Sequence, residues 1–196
     1  LTADFAPGNR VWIDVKVDKR PVPGYVLGMR ILLALTLISL VSFGCTRVVC
    51  ERWPDGAARR SGTVKNGVQV GPWTYHHPNG AVAAEGSFVM SMQEGEWIYR
   101  HSNGTVTAQG AYAHGLKQGP WKYFREDGSL QAAGSYHNDR QFGQWTSYAA
   151  DGRSIAAVGW YRRGLADGPW MEFAADGSVA TAGVHIAGVR VGLAAL

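Results

Sequence analysis

The sequence predicts an all-β fold, an elongated single-layer antiparallel meander built from β-hairpin repeats of about 24 residues each. Glycine (26 residues), tryptophan (8) and tyrosine (8) are abundant and only 17% of the residues are charged, a composition that favours strands and turns. A Gly-x-Trp motif also recurs, with its tryptophans at intervals of 24, 24, 24 and 25 residues, which is typical of repeat architectures. These tryptophans are Trp73, Trp97, Trp121, Trp145 and Trp170.

A second column of the repeat predicts where the chain turns. Seven residues after each of these tryptophans stands a glycine that is preceded by Asn or Asp. Asn-Gly and Asp-Gly between aromatic segments predict a two-residue type I′ turn, because that turn needs positive φ at both central residues. Next to Pro54 and Pro78 the turn is expected to be one residue longer, since proline cannot donate a ladder hydrogen bond. The turn glycines are Gly80, Gly104, Gly128, Gly152 and Gly177.

The position of these turns sets a register in which large rings face small residues. Pairing the strands around residues 79–80 places Trp73 opposite Gly86, and the same pairing two repeats later places Trp121 opposite Gly134. We therefore expect each tryptophan to pack across its glycine on one face of the sheet. A parallel β-solenoid with one coil per repeat is the competing architecture, although it would not need turn residues at a fixed place.

One repeat is irregular. Between Gly152 and Gly159 the chain has one residue more than the other repeats have at this place. An extra residue in an antiparallel strand is typical of a β-bulge, which bends the strand and is frequent near functional sites. The sequence therefore predicts a bulge within residues 152–159 and, next to it, Trp160 and Tyr161 as binding residues.

The segment before the repeats has the pattern of an export signal. Residues 29–44 begin with Met29 and Arg30, continue with an apolar run over 31–41, and end in small residues, which predicts a secretory signal peptide. The run is shorter than the ~20 residues that span a bilayer. Residues 1–28 match no repeat and are interpreted as an over-called start or a disordered extension, whereas residues 45–196 form the repeat array.

The cysteine that follows this segment predicts a lipid anchor. Residues 42–45, Ser-Phe-Gly-Cys, resemble a bacterial lipobox, in which the cysteine becomes the acylated N-terminus. Cys45 is therefore the predicted lipid-anchor residue. Two alternatives stay open at this point: plain secretion, in which Cys45 and Cys50 could form a disulfide, and a buried core segment in place of the signal peptide.

The repeat itself resembles a known family. The unit at residues 112–128 is similar to a MORN repeat, and more narrowly to the bacterial variant often labelled an antitoxin component, and the resemblance covers residues 49–196. It implies a rod of β-hairpins with binding or scaffolding roles, including contact with membrane lipids, and no catalysis. Loop glycines and second aromatic residues depart from the pattern at Ser91, Asp139, Tyr148 and Phe173.

Several functional classes find no support in the sequence. The net charge is only +4 and the charges are scattered, so a nucleic-acid partner is not expected. His77 and His101 occupy one column, but the column supplies no third ligand, so neither a metal nor another cofactor is predicted. No nucleophile elbow or phosphate-binding loop is present, so the chain is not expected to be an enzyme.

These observations predict a lipid-anchored protein of the cell envelope whose repeat array binds or scaffolds an unknown protein or a membrane lipid. A second hypothesis is an antitoxin or immunity-type protein that neutralises a partner toxin. If the protein has no lipid anchor, it would be secreted or cytoplasmic.

Overall fold

The computed structural model describes residues 45–192, so the predictions for residues 1–28 and 29–44 lie outside the described part of the chain. Residues 45–192 form one sheet of 13 antiparallel strands that follow one another in sequence order. The predicted all-β meander is confirmed, and the parallel solenoid is wrong. No membrane-spanning helix is found among residues 45–192. The strands are β1 Thr46–Arg52, β2 Ala58–Lys65, β3 Val68–His76, β4 Val82–Val89, β5 Met92–Arg100, β6 Val106–Ala113, β7 Leu116–Phe124, β8 Leu130–His137, β9 Arg140–Tyr148, β10 Ile155–Arg162, β11 Leu165–Phe173, β12 Val179–Ile186 and β13 Val189–Gly192.

Two kinds of turn alternate along the chain, one kind on each side of the sheet. On the side that we call the tight-turn side, two residues connect the strands and both have positive φ, as in Asn66 (52°) and Gly67 (82°). This is the backbone pattern of the type I′ turn, whose twist matches that of the flanking strands. The tight turns are formed by Asn66-Gly67, Met90-Ser91, His114-Gly115, Asn138-Asp139, Arg163-Gly164 and Ala187-Gly188.

The Asn-Gly and Asp-Gly pairs lie on the other side, the wide-turn side, and their turns are not type I′. At residues 78–80 only Gly80 has a positive φ, 84°. Gly80 N donates to His77 O at 2.9 Å, and His77 N donates to Ala81 O at 2.8 Å, which closes a three-residue loop. The Asn79 side chain accepts from Ala81 N at 3.1 Å and so stabilises the loop. The longer turn expected beside Pro54 and Pro78 is confirmed, and the type I′ prediction for these pairs is wrong.

The register inside the strands agrees with the sequence. Trp73 pairs with Gly86, and Trp121 pairs with Gly134. Close to each wide turn, one residue is bulged out of the register, and this bulge compensates for the longer loop. The bulged residues are Arg59, Ala83, Thr107, Gln131, Ala156 and Ala180.

The extra residue of the irregular repeat lies in the turn and not in a strand. Ala149 N donates to Ser154 O, so the loop contains residues 150–153, one residue more than the other wide turns. Gly159 pairs with Trp145, as the corresponding glycines do elsewhere. A bulge does occur within the predicted residues 152–159, at Ala156, but such a bulge follows every wide turn. The predicted bulge is therefore confirmed, whereas its attribution to the inserted residue is wrong. A solvent-facing turn accepts an extra residue without turning the following side chains to the wrong face, which a shifted strand would do.

A second irregularity lies between the tight turn and the tryptophan that follows it. Gly62 pairs with Trp73 and Thr63 pairs with Val70, so residues 71–72 are left out of the register. The Trp73 indole stands over Gly62, where a Cβ atom would lie 2.2 Å from its Cδ2 atom. Only glycine leaves room for the ring at this position.

The tryptophan ring therefore covers the glycine of the preceding strand. A Cβ atom at Gly110 would lie 2.4 Å from Trp121 Cδ2, and Gly134 is covered in the same way by Trp145. The expectation that Trp121 packs across Gly134 is wrong, although the two residues are register partners. The Trp121 indole donates from Nε1 to the carbonyl oxygen of Ala111 at 3.1 Å. Ala111 lies beside residues 119–120, which are left out of the register before Trp121.

The rings form one continuous row on a single face of the sheet, which we call the aromatic face. Trp97 and Trp121 are each only 1% exposed. Neighbouring rings pack edge to face or tilted, as in Phe88 against Trp97 (centroids 5.1 Å apart) and Tyr112 against Trp121 (5.2 Å). The row consists of Trp73, Tyr75, Phe88, Trp97, Tyr99, Tyr112, Trp121, Tyr123, Tyr136, Trp145, Tyr161, Trp170 and His185.

Candidate functional site

The regular units show how the aromatic face accommodates a tyrosine. The Tyr99 ring lies between Trp97 (centroids 6.0 Å apart) and Trp121 (6.4 Å). Its hydroxyl accepts from Gln93 Nε2 at 2.9 Å and shares a hydrogen bond of 2.9 Å with the Tyr112 hydroxyl. Both the ring and the hydroxyl of Tyr99 are therefore held by neighbours on adjacent strands.

The next unit has the same arrangement around Tyr123, with a lysine in place of the glutamine. Lys117 Nζ donates to the Tyr123 hydroxyl at 2.9 Å, and this hydroxyl lies 3.0 Å from that of Tyr136. The Lys117 ammonium is also 4.5 Å from the centroid of Trp121 and 5.0 Å from that of Tyr136, within the range of a cation–π contact. Burial is the main cause that raises the pKa of Tyr136 to about 12.

The irregular unit lacks this tyrosine. Ser147 stands where Tyr75, Tyr99 and Tyr123 stand in the other units, and Tyr148 follows it on the opposite face. A cavity of about 210 Å³ opens there on the aromatic face, lined by Trp145, Tyr161 and Trp170 together with Gln141, Ser147 and residues of the adjoining strands. We call this cavity the aromatic slot.

Two polar groups of the aromatic slot have no partner among residues 45–192. Gln141 and Tyr161 occupy the places that Gln93 and Tyr112 occupy in the regular unit. There, the glutamine amide and the tyrosine hydroxyl both bond to the central hydroxyl of Tyr99. Neither side chain in the slot makes such a bond within the described residues, and burial raises the pKa of the Tyr161 hydroxyl.

The tryptophan at the end of the slot is also turned from its regular orientation. Trp121 and Trp145 donate from Nε1 to backbone carbonyls at 3.1 and 3.0 Å, whereas Trp170 Nε1 faces the Glu172 carboxylate at 3.3 Å. A Cβ atom at Gly159 would accordingly lie nearest to Cε3 and Cζ3 of Trp170, at 2.0 and 2.1 Å, whereas Cδ2 and Cε2 are the nearest ring atoms in the other units. The ring is half-buried.

The two residues predicted as a binding pair lie on different faces. Tyr161 is part of the aromatic slot. Trp160 precedes it in β10, so its side chain points to the opposite face, where it is 45% exposed. The sequence therefore identified one residue of the slot, but not a common site for the pair. The sequence feature that could have revealed the slot is Ser147, which stands at a position where the preceding units have a tyrosine.

The opposite face carries a second cavity, the basic pocket, of about 600 Å³ at the tight-turn side. Phe142 projects there with 55% of its surface exposed. Arg162 forms an ion pair with Asp167. Within the described part of the chain, Arg140 and Arg163 have no carboxylate at ion-pair distance. The pocket is lined by His137, Asn138, Arg140, Phe142, Arg162 and Arg163.

The predicted lipid-anchor residue lies immediately before the sheet. Cys45 is exposed and unpaired, one residue before β1, and Cys50 within β1 is likewise an exposed free thiol. His77 bonds through Nε2 to the carbonyl of Arg100 at 2.8 Å and thereby connects two units. No cluster of three or more His, Cys, Asp or Glu side chains suited to a metal ion occurs in residues 45–192.

Comparison with known protein families gave a match to one unit of this array. The model of the MORN repeat variant matches residues 117–138, which cover nearly all of β7 and β8 with the wide turn between them. The search of curated proteins gave no match. Residues 117–138 are thus similar to the MORN repeat variant, and this match supports the MORN-repeat family.

Proposed function

We propose that this protein is a non-enzymatic lipoprotein of the cell envelope whose MORN-like array is a binding or scaffolding module. MORN repeats commonly have such roles, which supports the binding part of the proposal. Lipid attachment at Cys45 would place β1 at the membrane surface.

The observation that carries the proposal is the basic pocket. Arg140 and Arg163 are charged, face solvent and lack an acidic partner among residues 45–192, while Phe142 adds an exposed apolar surface to the same pocket. This combination suits a partner that carries negative charge, either an acidic protein segment or an anionic lipid head group. Each arginine near an anionic membrane contributes about 1 kcal/mol, so two of them would supplement the lipid anchor and not replace it.

The anchor is tested on the protein from membrane fractions of its host. Mass spectrometry should find an acylated N-terminus at Cys45, and Cys45→Ser should leave the protein uncleaved or release it from the membrane. Cys50→Ser is the matched control and should not change the attachment. A soluble mature protein that retains residues 1–44 would contradict the proposal and would favour the antitoxin hypothesis.

The basic pocket is tested by reversing its charge. Arg140→Glu combined with Arg163→Glu should reduce co-sedimentation with vesicles that contain anionic lipid, or reduce cross-linking to an acidic host protein. Arg153→Glu changes an exposed arginine in the irregular turn and should leave both measurements unaffected. If the pocket variant and this control behave alike, the basic pocket is not the contact surface.

A further inference from the structure

The array contains its own example of an occupied tyrosine site. In the unit around Tyr99, two tryptophans hold the ring, while Gln93 and Tyr112 hold the hydroxyl. The arrangement therefore recognises both parts of a phenol: the flat apolar ring and the single hydroxyl at its far end.

The aromatic slot has four of these five positions filled by the same residue types. Trp145 and Trp170 correspond to the two tryptophans, Gln141 to the glutamine, and Tyr161 to the tyrosine beyond. Only the central position differs, because Ser147 has no ring. The slot is thus a tyrosine site without its own tyrosine.

The dimensions and the polar groups of the slot suit a phenol ring. Apolar cavities of roughly 150 Å³ can hold benzene, and the slot has about 210 Å³. A hydroxyl placed where the Tyr99 hydroxyl lies in its own unit would bond to both Gln141 and Tyr161, which have no partners in the slot. Partly buried polar groups gain most from a ligand that satisfies them, whereas a ring without a hydroxyl would leave them unpaired.

From these observations we propose that the aromatic slot binds the side chain of a tyrosine from another polypeptide. The neutral Gln141 replaces Lys117 of the preceding unit, so the slot is suited to an uncharged phenol. The site lies on the other face from the basic pocket and is independent of lipid attachment at Cys45. Its test and that of the proposed function therefore cannot fail for the same reason.

Binding is tested on the full chain with three probes, observed by ligand NMR and calorimetry. p-Cresol, the side-chain analogue of tyrosine, should bind with one site per chain and about tenfold more tightly than toluene, the ratio expected for about 1.4 kcal/mol of hydrogen bonding. N-Acetyltyrosinamide should bind as well. Binding of p-cresol without N-acetyltyrosinamide would overturn the assignment to a tyrosine and leave a site for free phenols.

Filling the slot with the chain's own ring should abolish this binding. Ser147→Tyr restores the regular column, so p-cresol should no longer bind and the melting temperature should rise. Tyr148→Ser changes the neighbouring residue on the opposite face and should leave p-cresol binding intact. Saturable binding that persists in Ser147→Tyr would show that the ligand lies elsewhere, and absence of binding to the folded wild-type chain would also overturn the proposal.

Two further variants keep the test decisive if Ser147→Tyr does not fold. Tyr161→Phe removes one of the two hydrogen-bond partners and leaves Gln141, so it should weaken p-cresol about threefold and should not weaken toluene. Tyr99→Ser should create a second slot and raise the stoichiometry for p-cresol from one to two. Unchanged p-cresol affinity in Tyr161→Phe would refute the role of the hydroxyl pair.

Discussion

Replacing Trp121 with alanine removes a ring that is 1% exposed and lies over Gly110. Such a change costs about 3–5 kcal/mol, and the lost indole bond to Ala111 O adds about 1 kcal/mol. The reciprocal change, Gly110→Ala, adds a methyl group 2.4 Å from Trp121 Cδ2. Because Tyr112 and Tyr136 confine the ring at 5.2 and 6.0 Å, overpacking should cost about 1–3 kcal/mol.

The double variant decides whether these two residues form one packing unit. Without the ring the added methyl group has space, so Gly110→Ala should cost almost nothing in the Trp121→Ala background. The coupling free energy should then be about 1–3 kcal/mol. Urea unfolding followed by circular dichroism measures it, and amide exchange in β6 and β7 shows whether the loss is local, since repeat arrays can unfold in parts.

A matched cycle with the register partner provides the control. Gly134→Ala should be additive with Trp121→Ala but coupled to Trp145→Ala, because the Trp145 ring lies over Gly134. The opposite result, coupling of Trp121 to Gly134 and additivity with Gly110, would refute the packing described above.

Three other predictions concern single polar groups. Asn103→Asp keeps the acceptor of the wide turn but loses the hydrogen bond of 3.0 Å from the side-chain amide to a carbonyl of the next unit. The free energy of unfolding, measured with urea, should therefore fall by about 1 kcal/mol. Asp127→Asn removes no donor and should show no such loss. Hydrogen bonds from the Ser154 hydroxyl and nearby backbone N–H groups lower the pKa of Asp151 to about 2. The stabilising contribution of this carboxylate is therefore complete above pH about 4 and is lost as the pH falls through about 2. Thermal melts should show this loss in the wild-type protein but not in Asp151→Asn. Burial raises the pKa of Tyr136 to about 12, so its contribution to stability is complete below pH about 10 and is lost as the pH rises through about 12. The phenolate absorbance that is absent in Tyr136→Phe should therefore titrate with a midpoint near pH 12. A midpoint near 10 would contradict the burial of this side chain.

The strand register could be predicted from the sequence because its determinants are large and periodic. A tryptophan opposite a glycine fits only one alignment of the strands, and Trp73 and Gly86 are paired accordingly. The turn types could not be predicted as reliably. Asn-Gly is compatible with several hairpin loops, and the true type I′ turns include Met90-Ser91, whose side chains give no signal for positive φ. There the paired strands, and not the local sequence, impose the backbone conformation.

The candidate site was only partly visible in the sequence. Trp73 is a register partner of both Gly62 and Gly86, so the sequence could not show which glycine its ring covers. Tyr161 was predicted from its proximity to the insertion, yet it belongs to the aromatic slot because of the missing ring at Ser147. The sequence shows that the aromatic residue of this repeat is shifted by one place to Tyr148. The cavity that results depends on side chains of the neighbouring strands and could not be seen in the sequence.

The position of each tryptophan over the preceding glycine also determines where the array can be cut or extended. Gly110 and Trp121 belong to β6 and β7, which a tight turn joins, and each of the five tight hairpins from β2–β3 to β10–β11 likewise contains both members of its packing pair. The wide turns connect hairpins that are already complete in this respect. Adding or deleting 24-residue modules at wide turns would leave every such pair intact, whereas a boundary at a tight turn would separate a ring from its glycine. The longer loop at residues 150–153 lies at one of these permissive junctions.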